Sequence, residues 1–275
     1  MVHQLSLVAE IPQPQYMLSV STLAAITGMT PEDLSLHVVL LKPKFPFNPE
    51  IQAGKVNQIE QYRIRITSSF DSSSGTQQRA QAQAQLESQS IFEFNKNSND
   101  LTSRKWTIQV SEIPSAGRRT VSSQNIYEST IVNTGAHNDL IGYLDELGYS
   151  LETEFWIKGV RFYHNDIIIE IYRIYVKSDN ISTVIVPIGE KEQDLAKLYK
   201  LELLDKTGKF FVKCFVNVER QTGVESITKA NKQLDLLKNE LSGLIDLEIP
   251  DRIAMDSRVN SKIGISNYNI SVRKK

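Results

Sequence analysis

The chain reads as a mainly antiparallel β protein of the α+β class, a single closed β-barrel with a few flanking helices. Three observations predict it. Apolar residues recur with a period of two over most of the sequence, and only a few segments repeat at three or four. No strand is regularly followed by a helix, which argues against a doubly wound parallel sheet. Long strands with few protected edges are best accommodated by closure, which removes unpaired edges altogether.

Taken in order, the first helix is expected from about Pro14 to Thr27, with Pro14 near its first position and Gly28 as its stop. Tyr62, Ile64 and Ile66 alternate with Arg63 and Arg65 as a strand. Residues Ser68 to Ser90 hold seven Ser, six Gln and three Ala. Such a tract has almost nothing to bury, so a disordered or weakly helical insertion is expected over about 68–100. Trp106, Ile108 and Val110 alternate with Thr107, Gln109 and Ser111, and the run stops at Pro114. A short helix begins at Asn138 or Asp139, carries Leu140, Ile141, Leu144 and Leu147, and ends at Gly148. In Leu151 to Ile157 the odd positions form one face, and Glu152, Glu154 and Trp156 form the other. Gly159 then turns the chain into Val160 to His164. Asn165-Asp166 turns it again into Ile167 to Lys177, giving a three-stranded meander. Lys177 to Glu192 reads as a long connection. Phe210, Val212, Cys214, Val216 and Val218 make a clean apolar strand face. Thr222 and Glu225 form a capping box for a helix over Gly223 to Leu241, in which Ile227, Ala230, Leu234, Leu237 and Leu241 recur. One barrel domain over 1–262 and a C-terminal tail at 263–275 are expected.

Composition sets limits on function. With 275 residues, 40% of them hydrophobic, the chain can bury a core without staples. Cys214 is the only cysteine, which excludes an intrachain disulfide and a cysteine-rich zinc site and suits a reducing compartment. The 31 basic and 32 acidic side chains nearly cancel, so nucleic acid is not expected to be held through a basic surface. The N-terminus lacks the pattern of a secretion signal, and stretches such as Val38 to Leu41 are far below membrane-spanning length.

The search for catalytic patterns is mostly negative. There is no Gly-rich phosphate loop, paired-histidine helix or nucleophile elbow, and His3, His37, His137 and His164 are dispersed. Glu152 and Glu154, at i and i+2 on a strand, could hold a hard divalent cation and suit hydrolysis of a polyphosphate. Only one strand carries such a pair. Glu170 and Glu202 are solitary, and Arg161 and Arg173 stand nearby, so a solvated or arginine-paired face is the other reading. Gly117-Arg118-Arg119 could offer amides and guanidinium groups to an anion, or form a plain exposed turn. Leu18, Thr22, Ala25 and Met29 form a second stripe of the first helix, distinct from Met17, Val20 and Ala24. It suits either close approach by a partner helix or burial on two sides within the domain. Arg63, Arg65, Arg118 and Arg119 could touch nucleic acid, against which the balanced charge speaks.

Several segments carry a family resemblance. They are Met1-Val2-His3-Gln4-Leu5-Ser6-Leu7, the helix Ser21-Thr22-Leu23 through Ile26-Thr27-Gly28, and Trp106-Thr107-Ile108-Gln109-Val110-Ser111-Glu112-Ile113-Pro114-Ser115-Ala116-Gly117. Leu147-Gly148-Tyr149 with Gly159-Val160-Arg161-Phe162, and Ile249-Pro250-Asp251-Arg252 with Met255-Asp256-Ser257-Arg258-Val259, continue the series. Together they resemble the fungal family of Mediator complex subunit 18. The resemblance implies a barrel related in shape to the tunnel-type RNA triphosphatases but used for assembly, without cofactor or metal. It implies a nuclear coactivator subunit of the Mediator head module. Its expected partners are subunit 20 (as a heterodimer), a C-terminal helix of subunit 8, other head-module subunits and RNA polymerase II. Leu18, Thr22, Ala25, Met29, Gly117 and Arg118 are the expected partner-binding residues; no membrane contact and no sequence-specific nucleic-acid binding are expected. The alternative from another class is a metal-dependent phosphohydrolase, RNA-triphosphatase-like, in the same barrel.

Overall fold

The computed structural model describes residues 1–45, 60–69, 87–89, 105–117, 119–131, 140–178, 184–187, 195–219 and 221–259. The tail at 263–275 lies outside them, as does most of the tract over 68–100. The strands are β1 (Val2–Ile11), β2 (Glu32–Pro43), β3 (Ile64–Ser69), β4 (Glu87–Gln89), β5 (Trp106–Ser111) and β6 (Ser122–Ile131). They continue with β7 (Tyr149–His164), β8 (Ile167–Lys177), β9 (Val184–Pro187), β10 (Leu195–Leu203) and β11 (Phe210–Val218). The helices are α1 (Tyr16–Thr27), α2 (Leu140–Glu146) and α3 (Val224–Leu241). A 3-10 turn at Gln13–Gln15 leads into α1, and Gly28 ends it in the left-handed conformation at φ 67°.

The wall runs β11-β1-β6-β5-β3-β2-β7-β8, all antiparallel, and β8 pairs back onto β11 to close it. Closure leaves these eight strands without a free edge, as expected from the sequence. β10 continues from the end of β8 and carries β9 and β4 on its flanks. The stretch read as a long connection from Lys177 therefore contains a strand, β9. Similarly, Ser68 and Ser69 belong to β3, and Glu87–Gln89 pairs with Leu198 to Lys200.

Gly159 does not turn the chain. β7 runs unbroken through it, so the expected three-stranded meander is a two-stranded hairpin, β7–β8, turned by Asn165 at φ 54°. Gly159 is needed for a different reason. It sits opposite Tyr172, where a Cβ would collide with the Ile171 carbonyl oxygen and lie 2.6 Å from the Tyr172 Cα. The capping box also fails to form. α3 takes Gly223 as its N-cap, which puts Glu225 at the second helical position, one short of where a box needs it.

The strand register assigns every side chain to the lumen or to the outside. The large apolar core lies outside the wall: Leu5, Leu7, Ile11, Ile169, Val212 and Cys214 are covered by Leu23 of α1 and by Ala230, Leu234, Leu237 and Leu241 of α3. A second outer cluster joins Val39, Leu41, Ile66 and Trp106 to Leu144 of α2. The clean apolar face of β11 thus packs against helices, and the opposite face of the same strands turns inward. Burial pushes the Cys214 thiol up to about 12. A thiol-reactive dye at mildly alkaline pH is therefore expected to spare Cys214 in the native protein and to label it only after unfolding; rapid labelling of the native chain would contradict its placement.

The last described segment straps the barrel. Where β6 ends its pairing with β1 at Ser6, Glu248 takes over, exchanging two backbone bonds with Val8 at 2.8 and 2.7 Å. Further on, Arg63 N donates to Ser257 O, Val259 N to Gln61 O, Ser257 Oγ to Ser111 O and Arg252 Nε to Pro114 O. Arg258 is held between Asp256 and Glu60, at 2.8 and 2.9 Å. Those hydrogen bonds hold Asp256 below the usual carboxylate range.

Candidate functional site

The carboxylate pair is not a metal site. Between Leu40 and Leu41 the partner on β7 jumps from Thr153 to Leu151, so one extra residue is inserted opposite them. This bulge breaks the i, i+2 parity. Leu151 packs outside with Leu41 and Leu144, rather than sharing a face with Phe155 and Ile157. Glu152 pairs with Arg63 at 2.7 Å, while Glu154 lies on the outer wall at 3.2 Å from His37 Nε2. The His37 ring stacks on Trp156 with centroids 4.8 Å apart and meets Trp106 edge-on at 5.6 Å. Glu170 binds Arg161 through two nitrogens. Glu202 accepts from Ser178, and Arg173 lies over the Phe210 ring while donating to the Gly208 carbonyl. Among the described residues no group of three or more His, Cys, Asp or Glu side chains could hold a metal ion, and no helix is long and apolar enough to cross a membrane.

The predicted stripe on α1 divides. Ser19 and Leu23 are buried, and Tyr16, Val20, Ala24 and Ile26 pack against the outer core. Met29 joins them, its sulfur accepting from the Tyr163 amide at 3.2 Å, so it anchors the end of the helix to β7. Thr22 is half-buried. Leu18 and Ala25 are exposed, Leu18 by 59%. Met17, which the sequence placed on the inner stripe, is 68% exposed beside Leu18. Helical spacing put Met17 with Val20 and Ala24, but the inward face centres on Tyr16, Ser19, Val20 and Leu23, and Met17 lies at the edge of that face, turned to solvent.

Gly117 lies at φ 119° in an exposed loop with open space around it. The loop is tied down on its N-terminal side by Ser115 N donating to Ser123 O and by the Arg252 bond to Pro114. Arg119 is exposed, and Arg118 lies outside the described residues.

Much of the lumen is polar. Gln4 and Ser6 of β1, Arg65 and Thr67 of β3, Thr107 and Gln109 of β5, and Gln124 of β6 share its face by register. On the other side stand Arg161, Glu170, Tyr172 and Lys213. The sequence analysis did not weigh Lys213, although its position between Phe211 and Phe215, on the face opposite Val212 and Cys214, is legible in the alternation.

With this geometry in hand, the chain can be set beside known proteins. The family model described as Med18 protein matches residues 3–258. The chain belongs to the Med18 family. A Med18 relative from Candida albicans, named Mediator of RNA polymerase II transcription subunit 18, is 30% identical, with 94% of this chain and 99% of that protein aligned. Its namesake from Yarrowia lipolytica is also 30% identical, over 94% of this chain and all of its own length. The fold is similar to a chain in the structure of the Schizosaccharomyces pombe Mediator head module, with a TM-score of 0.62 at 15% identity, covering 90% of this chain and 98% of that one. The matched span takes in this chain's closed barrel, its outer helices and the strap to Arg258.

Proposed function

We propose that the chain is a non-enzymatic subunit of the Mediator head module that works in the nucleus as a coactivator scaffold. In this reading its barrel pairs with subunit 20, a C-terminal helix of subunit 8 docks on it, and the assembly helps engage RNA polymerase II. The observation that carries the reading is end-to-end alignment with proteins named as this subunit of Mediator. Two features of the site support it. The bulge splits Glu152 from Glu154 and each is paired with a basic side chain, so among the described residues they form no carboxylate row for a catalytic metal. The outer end of α1 presents Met17 and Leu18 to solvent, as a helix-docking surface requires.

Co-purification of the full chain with subunits 8 and 20 of the same organism tests the assembly. Leu18→Glu is expected to weaken capture by roughly thirtyfold, the effect of losing a contact worth about 2 kcal/mol at the centre of an interface. The melting temperature of the isolated chain should be unchanged, because Leu18 is exposed. Unchanged capture by the variant would move the interface away from α1, and absence of any complex with the native chain would reject the assembly.

A further inference from the structure

We propose that the barrel lumen holds a small tetrahedral oxyanion of the phosphate class between Arg65 on one wall and Lys213, Arg161 and Tyr172 on the other. The argument begins with the register. Going round the closed wall from β11, β3 is the fourth strand in either direction, so Arg65 and Lys213 project toward each other across the barrel. Lys213 stands opposite Glu170 of β8, Glu170 opposite Arg161 of β7, and Tyr172 one inward position along β8.

The charges do not balance. Three cations share this level of the lumen with one enclosed carboxylate, Glu170, which is committed to Arg161 through bonds of 3.0 and 2.7 Å; Glu128, on the same face by register, is exposed and accepts from Gln109. Arg65 and Lys213 have no ion-pair partner among the described residues, and Arg65 Nε is a buried donor with no hydrogen-bond acceptor there. The Lys213 ammonium lies 4.8 Å from the centroid of the Phe215 ring, and Glu170 on the neighbouring strand attracts it without an ion pair among the described residues. Enclosure, reinforced by the charge of Arg65, pushes Lys213 down to about 8. Burial holds the Tyr172 hydroxyl protonated, and so able to donate. An uncompensated pair of enclosed cations is costly unless an anion accompanies them.

The dimensions and donors select the class of anion. An eight-stranded barrel has room for side chains and at most one small ligand. A guanidinium fork, an ammonium and a phenol converging from opposite walls supply donors in several directions, which matches the oxygens of a phosphoryl group. The shared chemistry admits free phosphate or the terminal group of a short phosphate chain.

The test is calorimetry on the full chain in chloride buffer, with orthophosphate, tripolyphosphate and ATP in separate arms. One-to-one binding is expected for orthophosphate if the lumen takes the free ion, and for the two longer anions only if it takes a terminal group. Arg65→Gln and Lys213→Gln should each weaken that binding about tenfold to a hundredfold, as expected for hydrogen bonds to charged groups. In the native protein, nitrogen-detected NMR of Lys213 should show its pKa rising when the bound anion is added, which needs no variant to fold. No saturable binding in any arm, binding indifferent to both substitutions, or a Lys213 titration that phosphate leaves unmoved would overturn the proposal.

Discussion

Gly159→Val is expected to destabilise the protein by about 3 kcal/mol or more, the upper range for forcing bulk into a packed site. The new side chain meets backbone, namely the Ile171 carbonyl and the Tyr172 Cα, which cannot swing aside as the end of a flexible side chain can. Relief therefore requires β7 and β8 to separate at the middle of their pairing, and with them the closed wall. Gly28→Ala is the comparison. Gly28 also resists substitution, at φ 67°, but a Cβ there meets nothing within 4 Å. It should cost about 1–2 kcal/mol of backbone strain alone. Urea denaturation of the two variants measures the difference, and equal midpoints would mean that β7 and β8 do not approach as closely as described.

Leu234→Ala should cost about 2–5 kcal/mol, the range for emptying a buried leucine site. Leu234 is fully buried between α3 and the outer faces of the wall, in the same cluster as Leu5, Ile169 and Val212. Leu236→Ala, two residues away and 61% exposed, should change stability by less than about 0.5 kcal/mol. If the two variants unfold alike, α3 is not the cover of the outer core. If Leu236→Ala leaves stability intact but lowers capture of a Mediator partner, α3 also belongs to the docking surface.

Most elements could be read from local pattern because each is defined by its own alternation or by its own caps. The Trp106 strand, the apolar face of Phe210 to Val218, the Asn165-Asp166 turn and the helix ending at Leu241 are of this kind. What could not be read depends on a partner distant in sequence. Gly159 looks like a breaker in isolation, and only the opposing backbone of β8 explains it. The bulge at Glu152 is a mismatch of one residue between two strands more than a hundred positions apart, so the expected carboxylate face had no local sign of failing. Alternation also leaves open which face of a strand points inward. The apolar face of β11 is covered by helices, while the lumen mixes Arg65 and Lys213 with the apolar Leu36, Val38 and Ile157. For α1, spacing found Leu18 and Ala25 but could not tell that Met29 is spent on β7 or that Met17 is open.

β1 has a consequence for how the molecule comes into being. The strand pairs with β6 on one side, and on the other with β11, where Leu5 meets Val216; beyond Ser6 the Glu248 strap replaces β6. One edge of β1 can therefore be paired once β6 has been made, while the other waits about two hundred residues for β11. Contacts so remote in sequence slow folding and leave an open edge meanwhile. Until β11 has been made, the newborn wall is a half-zipped sheet, for which chaperones offer the natural shelter.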